Sequence, residues 1–271
     1  MNLREIEEFS IALAKGSGDI LRKYFGKIEN IATKSTGIDL VTVADLESEK
    51  HITDAINSRF PDHDIIAEEG ENTKAGSRYR WVIDPLDGTT NFVHNIPIFA
   101  VSIAFQIDGK TSVAAIYNPG ADKMFSAVLG AGAKLNGETI KCTSTNTLSE
   151  SLLVTGFPYV HDTMYDRLFD IFKQFYDASQ GVRRFGAAAL DLCFVAMGRF
   201  EGFYEFGLKE WDIAAGTLIL TESGGTISDW DGSECPSSGV RVLATNGGVH
   251  SSMIKVLSQH HKHFISQDSS V

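Results

Sequence analysis

The stretch Trp81-Val82-Ile83-Asp84-Pro85-Leu86-Asp87-Gly88-Thr89-Thr90-Asn91 constrains this chain more than any other, because it hangs two carboxylates and two hydroxyls on one turn behind an apolar run. Arg80-Trp81-Val82-Ile83 is short, apolar and β-branched, which predicts a strand ending at Asp84. Pro85 has no N–H and blocks continuation of a ladder, while Gly88 permits a backbone angle closed to other residues, so Asp84 and Asp87 can converge at the strand's end. Thr89 and Thr90 read as the start of a helix, whose free N–H groups and positive dipole end favour an anion. Cation and phosphate can meet on such a turn. Taken alone, the stretch reads equally well as an acidic turn whose Asp residues merely cap.

Two further clusters repeat the pattern. Ile65-Ile66-Ala67-Glu68-Glu69-Gly70 again sets carboxylates behind an apolar run and before a glycine. In Glu210-Trp211-Asp212-Ile213-Ala214-Ala215-Gly216, Asp212 stands where a helix N-cap is expected, and Gly224-Gly225 stops that helix. Carboxylates at three element ends, with no matching run of His or Cys, suit Mg²⁺ or Mn²⁺ better than zinc.

With these clusters in place, the chain resembles the inositol monophosphatase family, its bacterial branch in particular. The resemblance is carried by Asp39-Leu40-Val41-Thr42-Val43-Ala44-Asp45, Ala67-Glu68-Glu69-Gly70, Trp81 through His94, Arg183-Arg184-Phe185-Gly186-Ala187-Ala188-Ala189-Leu190-Asp191, and Glu210 through Gly225. It implies an α/β fold, the layered αβαβα sandwich of the inositol monophosphatase and fructose-1,6-bisphosphatase type. It also implies Mg²⁺-dependent hydrolysis of a small phosphorylated metabolite, with two or three Mg²⁺ per site, Mn²⁺ as a substitute, and a homodimer. Glu68, Asp84, Asp87 and the Leu86 carbonyl match the family's metal ligands. Asp212 matches a carboxylate that holds a further metal and touches substrate, and Asp45 one that supports the most weakly bound metal. Thr89, paired with Glu68, matches the group that orients the attacking water, and the Gly88 and Thr89 N–H groups match the phosphate cradle. Lys34, five residues before Asp39, matches a loop lysine, and Glu205, seven before Asp212, matches the ligand of substrate hydroxyls.

Phosphate-monoester hydrolysis is among the slowest uncatalysed reactions and its substrate repels nucleophiles, so charge neutralisation is the main demand. Cations supply it and acidify a water, leaving Thr89 and Glu68 to position that water and take its proton. The resemblance favours direct attack by water over an aspartyl-phosphate on Asp84. Gly186-Ala187 departs from relatives that carry Thr or Ser after the glycine, which removes a hydroxyl contact to the substrate. Related branches act on fructose 1,6-bisphosphate, NADP, histidinol phosphate or adenosine 3′,5′-bisphosphate. Glu205 and Thr155-Gly156-Phe157-Pro158 favour inositol 1-phosphate. A reading of another class is a binding protein of the transcription apparatus, as among bacterial relatives.

At 271 residues and 43% hydrophobic the chain can bury a large core, which suggests one domain, 1–271, of two lobes, 1–145 and 146–271. The net charge of −11 argues against direct nucleic-acid binding. Three widely spaced cysteines, Cys142, Cys193 and Cys235, read as reduced thiols, and no signal core or membrane-length apolar run is visible, so a cytoplasmic protein is expected.

Periodicity predicts a first helix from Leu3 ending by Gly26, a second over Ala44 to Phe60, and an antiparallel meander from Phe99 to Cys142 with turns at Asp108-Gly109 and Asn136-Gly137. In the second half it predicts strands at Ser151–Thr155 and Gly202–Glu205, and helices over Tyr165–Tyr176, Ala187–Met197 and after Asp212. His94, His250, His260, His261 and His263 lack metal spacing and are assigned no role. Phe169, Phe172, Phe175 and Tyr176 form a stripe suited to core or subunit interface, and Arg183-Arg184 to an interface ion pair.

Overall fold

The computed structural model describes residues 1–27, 31–33, 40–70, 72, 76–159, 164–236 and 240–264. Lys34 and Asp39 lie outside the described residues, as does the frayed tail expected from Gln267 to Val271.

Helix α1 (Leu3–Tyr24) opens where the Asn2 side-chain oxygen accepts the Arg4 N–H at 3.1 Å. It closes with Arg22 and Lys23, cations at the negative end of the dipole. A short antiparallel pair, β1 (Ile31–Thr33) and β2 (Leu40–Thr42), leads into α2 (Val43–Arg59). That helix is started by a capping box: Thr42 accepts from Ala44 N–H at 3.1 Å, and Asp45 accepts the Thr42 N–H at 2.8 Å.

The chain then lays down a seven-stranded sheet in sequence order: β3 (Asp64–Ala67), β4 (Tyr79–Asp87), β5 (Ala100–Ile107), β6 (Lys110–Asn118), β7 (Lys123–Val128), β8 (Gly132–Leu135) and β9 (Glu138–Thr139). Only β3 and β4 run parallel. One short helix, α3 (Thr89–Val93), leaves the end of β4. The expected turns are present, with positive φ at both residues: 50° and 78° at Asp108-Gly109, 50° and 87° at Asn136-Gly137. That is the backbone a two-residue hairpin needs to match strand twist.

The second half supplies β10 (Leu153–Thr155), α4 (Tyr165–Ala178), β11 (Val182–Arg183), α5 (Ala188–Ala196), β12 (Gly202–Phe206), α6 (Glu210–Glu222), β13 (Thr226–Ser228), β14 (Arg241–Thr245) and α7 (His250–His261). Its strands form a five-stranded mixed sheet, β11-β10-β12-β14-β13. The elements β11, β13, β14 and α7 were not anticipated.

Three apolar clusters order the layers. Ile6, Leu13 and Leu21 of α1 and Ile52 and Ile56 of α2 pack on one face of the first sheet, against Trp81, Ile83, Ile103 and Phe105. The opposite face, with Val82, Ala104, Ala114, Ile116 and Phe125, packs on α5 and α6, whose far side meets Val154, Phe203, Val242 and Ala244 of the second sheet. The outer face of that sheet is covered by Leu168, Ile171 and Phe175 of α4 and Met253 and Leu257 of α7. Helices, sheet, helices, sheet, helices: the expected αβαβα sandwich is the observed fold.

Two of the boundaries that differ from expectation shape the site. β4 does not end at Asp84 but runs to Asp87, its register jumping from Asp84 opposite Ser102 to Asp87 opposite Ala100. Pro85 cannot donate, so the ladder skips it as a bulge and rejoins, instead of stopping. Helix α6 begins at Glu210, so Asp212 is not its N-cap but its third residue, accepting the Lys209 N–H at 2.7 Å in a capping box. The helix does stop at the glycines: Gly224 stands at φ 91° and the Gly225 N–H returns to the Leu220 carbonyl at 3.0 Å.

Candidate active site

The bulge in β4 is what makes two carboxylates meet. In a regular strand, residues three apart point to opposite faces. The extra residue at Pro85-Leu86 removes that alternation, and Ser48 of α2 pins the bulge by donating to the Pro85 carbonyl at 2.9 Å. Asp84 Oδ1 accepts the Leu86 N–H at 3.0 Å, and both carboxyls are buried. Gly88 follows at φ 90°, a left-handed conformation that a Cβ would strain. A Cβ there would also press to 3.0 Å on the Ile98 carbonyl and 3.2 Å on that of Gly186.

Asp87 reaches across to the second half of the chain. Its Oδ2 accepts the Ala189 N–H at 2.8 Å, and the Ala188 and Leu190 N–H groups also bond to it. Helix α5 has no capping side chain of its own, since Ala187 is its N-cap residue. Asp87 therefore caps it from another sheet. Asn91 stitches the same seam, donating to the carbonyls of Ile98 at 2.8 Å and Phe185 at 2.7 Å.

Around this pair the other carboxylates collect. Glu68 follows β3, and its N–H bonds to the Ile83 carbonyl at 3.2 Å, which sets it beside Asp84. Burial lifts the Asp84 carboxyl well above the usual range, and the charges of Glu68, Asp87 and Asp212 and a hydrogen bond with Glu68 lift it further. Burial pushes Asp87 up to about 7, opposed by the α5 amides and reinforced by Glu68. Asp212 is raised well above its range by burial and then by Glu68, with the Lys209 N–H opposing. Burial takes Asp45 to about 6 against two donors from Thr42. The Thr89 hydroxyl lies 3.1 Å from Asp45 Oδ1 and 3.1 Å from the Leu86 carbonyl, so its hydrogen is shared between those acceptors and its lone pairs face outward from them. Its partners are thus Asp45 and the Leu86 carbonyl, whereas the resemblance pairs it with Glu68.

The far wall comes from β12. Glu205 is carried up to about 8 by burial and by Asp212, with Arg184 opposing. Its carboxylate lies over Gly156, where an added methyl would sit 2.1 Å from Oε1. Gly186 and Ala187, read from sequence as substrate-facing, lie against Gly88. Asp191 was quoted in sequence without a role. It is buried in α5, both oxygens lacking a hydrogen-bond partner, and burial, Glu205 and Asp87 raise it well above its range. A single carboxylate inside the apolar run Ala187–Ala196 was the available signal.

The donor set is oxygen only: carboxylates that repel one another, together with a backbone carbonyl at Leu86. Such a set fits a hard divalent cation and leaves no soft ligand for zinc. Among the described residues, the one group of three or more such side chains whose ligand atoms lie within 4.8 Å of one another is a different one, Asp229, Asp231 and His261. There Asp229 already receives Arg241, Nε to Oδ1 at 3.0 Å and Nη2 to Oδ2 at 3.0 Å, with His261 Nε2 3.3 Å from Oδ1. Its lone pairs are taken by a buried ion pair, so the group anchors α7 structurally. Cys142, Cys193 and Cys235 are free thiols, and among the described residues no helix is long and apolar enough to cross a membrane.

The profile described as the Inositol monophosphatase family matches residues 2–266. An inositol-1-monophosphatase of Synechocystis sp. is 40% identical over 252 residues, covering 93% of this chain and 88% of its own. The Nus factor SuhB of Pasteurella multocida is 42% identical over 226 residues, covering 82% and 84%. The solved inositol monophosphatase of Anabaena (Nostoc) sp. superposes with a TM-score of 0.84 at 38% identity, over 96% of this chain and 97% of that one. A match along nearly the whole sequence, close relatives and a shared fold lead to one conclusion: this chain belongs to the inositol monophosphatase family.

Proposed function

We propose that the protein hydrolyses a small phosphate monoester, inositol 1-phosphate first, with Mg²⁺ held by Glu68, Asp84, Asp87, Asp212 and the Leu86 carbonyl, and with Asp45 in support. The observation that carries the reading is the convergence of buried Asp84 and Asp87 with half-buried Glu68 and Asp212, where the carboxyls of Asp84, Asp87 and Asp212 are lifted above their ordinary range. Bound there, Mg²⁺ neutralises the phosphate and acidifies a water. The protein's own groups do the rest. Thr89, its hydrogen given to Asp45 or the Leu86 carbonyl, offers an oxygen lone pair that orients the water, and Glu68 takes the proton. The Gly88 and Thr89 N–H groups, at the unpaired start of α3, receive phosphate oxygens. Glu205 binds substrate hydroxyls, while Ala187 offers none.

The test is free-phosphate release from inositol 1-phosphate, fructose 1,6-bisphosphate, NADP, histidinol phosphate and adenosine 3′,5′-bisphosphate, with Mg²⁺ and with EDTA. Mg²⁺-dependent release, highest on inositol 1-phosphate, is expected, with Mn²⁺ substituting. Light scattering on the same sample should give the mass of a homodimer. The Nus factor name of a relative favours a second reading, a binding role in transcription. Silence across the panel, with complementation of a deletion by Asp87→Asn, would move the assignment there.

Gly156→Ala tests the Glu205 wall. Its methyl must displace the Glu205 carboxylate. KM for inositol 1-phosphate is expected to rise about tenfold or more, with the melting temperature little changed. An unchanged KM would remove Glu205 from the substrate pocket.

A further inference from the structure

Asp84 and Asp212 approach from different elements with like charge, so something must hold the start of α6 against β4. On β4, Arg80, Val82 and Asp84 share one face, and Val82 on that face belongs to the same apolar cluster as Ile213 and Ala214 of α6. Arg80 stands directly opposite Gln106 of β5 in the antiparallel register. Its Nε donates to Gln106 Oε1 at 2.8 Å, and its Nη2 donates to Glu210 Oε1 at 2.6 Å. Gln106 Nε2 closes the ring, donating to the same Glu210 oxygen at 3.1 Å. Glu210 is the first residue of α6, two before Asp212.

We propose that Arg80, Gln106 and Glu210 form a latch that sets the position of Asp212 against Asp84 and thereby the affinity of the site for a divalent cation. It rests on the reading of the carboxylate cluster as a cation site. A lone exposed ion pair would hold little. This one is partly buried, the Arg80 and Glu210 side chains being 29% and 18% exposed, and it is braced by a cross-strand amide. The planar guanidinium fork fixes direction as well as distance. The three are positioning residues: none lies among the groups assigned to cation or substrate.

The experiment is Mn²⁺ binding to the intact chain, read from loss of the paramagnetic resonance signal of free Mn²⁺. Wild type is expected to bind and Asp87→Asn to lose that binding. Arg80→Ala, Glu210→Gln and Gln106→Leu should each weaken Mn²⁺ binding about tenfold at nearly unchanged melting temperature. The Arg80→Ala/Glu210→Gln double should be no weaker than its weaker parent, as partners in one contact are not additive. The exchange of Arg80→Glu with Glu210→Arg should recover most of the affinity. In phosphate release, the single variants should need about tenfold more Mg²⁺ for half-activity yet reach wild-type kcat at saturation. If Arg80→Ala fails to fold, Glu210→Gln and Gln106→Leu carry the test. Unchanged Mn²⁺ affinity in those two, or an additive double, overturns the latch alone. Mn²⁺ uptake indifferent to Asp87→Asn, or absent from wild type, overturns the cation site itself.

Discussion

Asp87→Ala is expected to cost about 10³-fold or more in kcat/KM and about 1–2 kcal/mol in stability, whereas Asp87→Asn should lose the activity and keep the stability. Relief of repulsion among the carboxylates favours the fold after either change. The structure adds an opposing effect, because Asp87 is the cap that α5 does not carry itself. Asparagine keeps an oxygen for the Ala188, Ala189 and Leu190 amides but removes the charge a cation needs; alanine removes both. Paired kinetics and denaturant midpoints decide the matter. An Asn variant with near-normal turnover would dismiss Asp87 from the chemistry, and Ala and Asn variants of equal stability would dismiss the cap.

The second large effect is on stability against pH once divalent cations are stripped. Asp87 and Glu205 titrate in the folded chain at about 7 and about 8, against 3.8 and 4.5 for the free side chains, and Asp84 and Asp212 are raised likewise. Over that interval the folded chain holds protons that the unfolded chain has released. The stability they contribute is therefore complete below about pH 4 and is lost as pH climbs through the folded values. His63, His250 and His260, lowered first by burial, act in the opposite sense below about 6.5. From pH 6.5 to 8.5 the carboxylates act alone among these groups. In EDTA the melting temperature should fall across that window by roughly 5 °C or more. With saturating Mg²⁺ the slope should flatten, since cations then take the place of protons. Calorimetry at a few pH values checks this, and a flat or rising curve in EDTA would contradict the buried cluster.

Local signals were legible wherever one residue type forces one geometry. Asp108-Gly109 and Asn136-Gly137 announced their hairpins and Gly224-Gly225 the end of α6, and the carboxylates behind apolar runs marked a candidate site. What stayed hidden depends on partners distant in sequence. The β4 bulge could not be told from a strand end, because Pro85 permits both and only the rejoining of Asp87 with Ala100 decides. Thr89 finds Asp45 through the fold of α2, and Asp212 sits inside its helix because Lys209 starts it earlier. β14 is framed by Pro236-Ser237-Ser238-Gly239 and Asn246-Gly247-Gly248, so its signal was present in the sequence, whereas α7 buries only Met253, Leu257 and His261 of a polar stretch. Arg80, Gln106 and Glu210 are unremarkable until β5 and α6 bring them together.

The central layer has a consequence for how the protein is made. Residues through Thr139 complete the first sheet, yet the face carrying Val82, Ala104, Ala114, Ile116 and Phe125 is covered only by α5 and α6, which end at Glu222. At a synthesis rate of about 5–20 residues per second, a ribosome-bound chain carries that greasy face uncovered for several seconds. During that interval Asp87 also lacks the amides it will cap. The nascent chain is then at its most adhesive, and chaperone capture should concentrate between those two lengths.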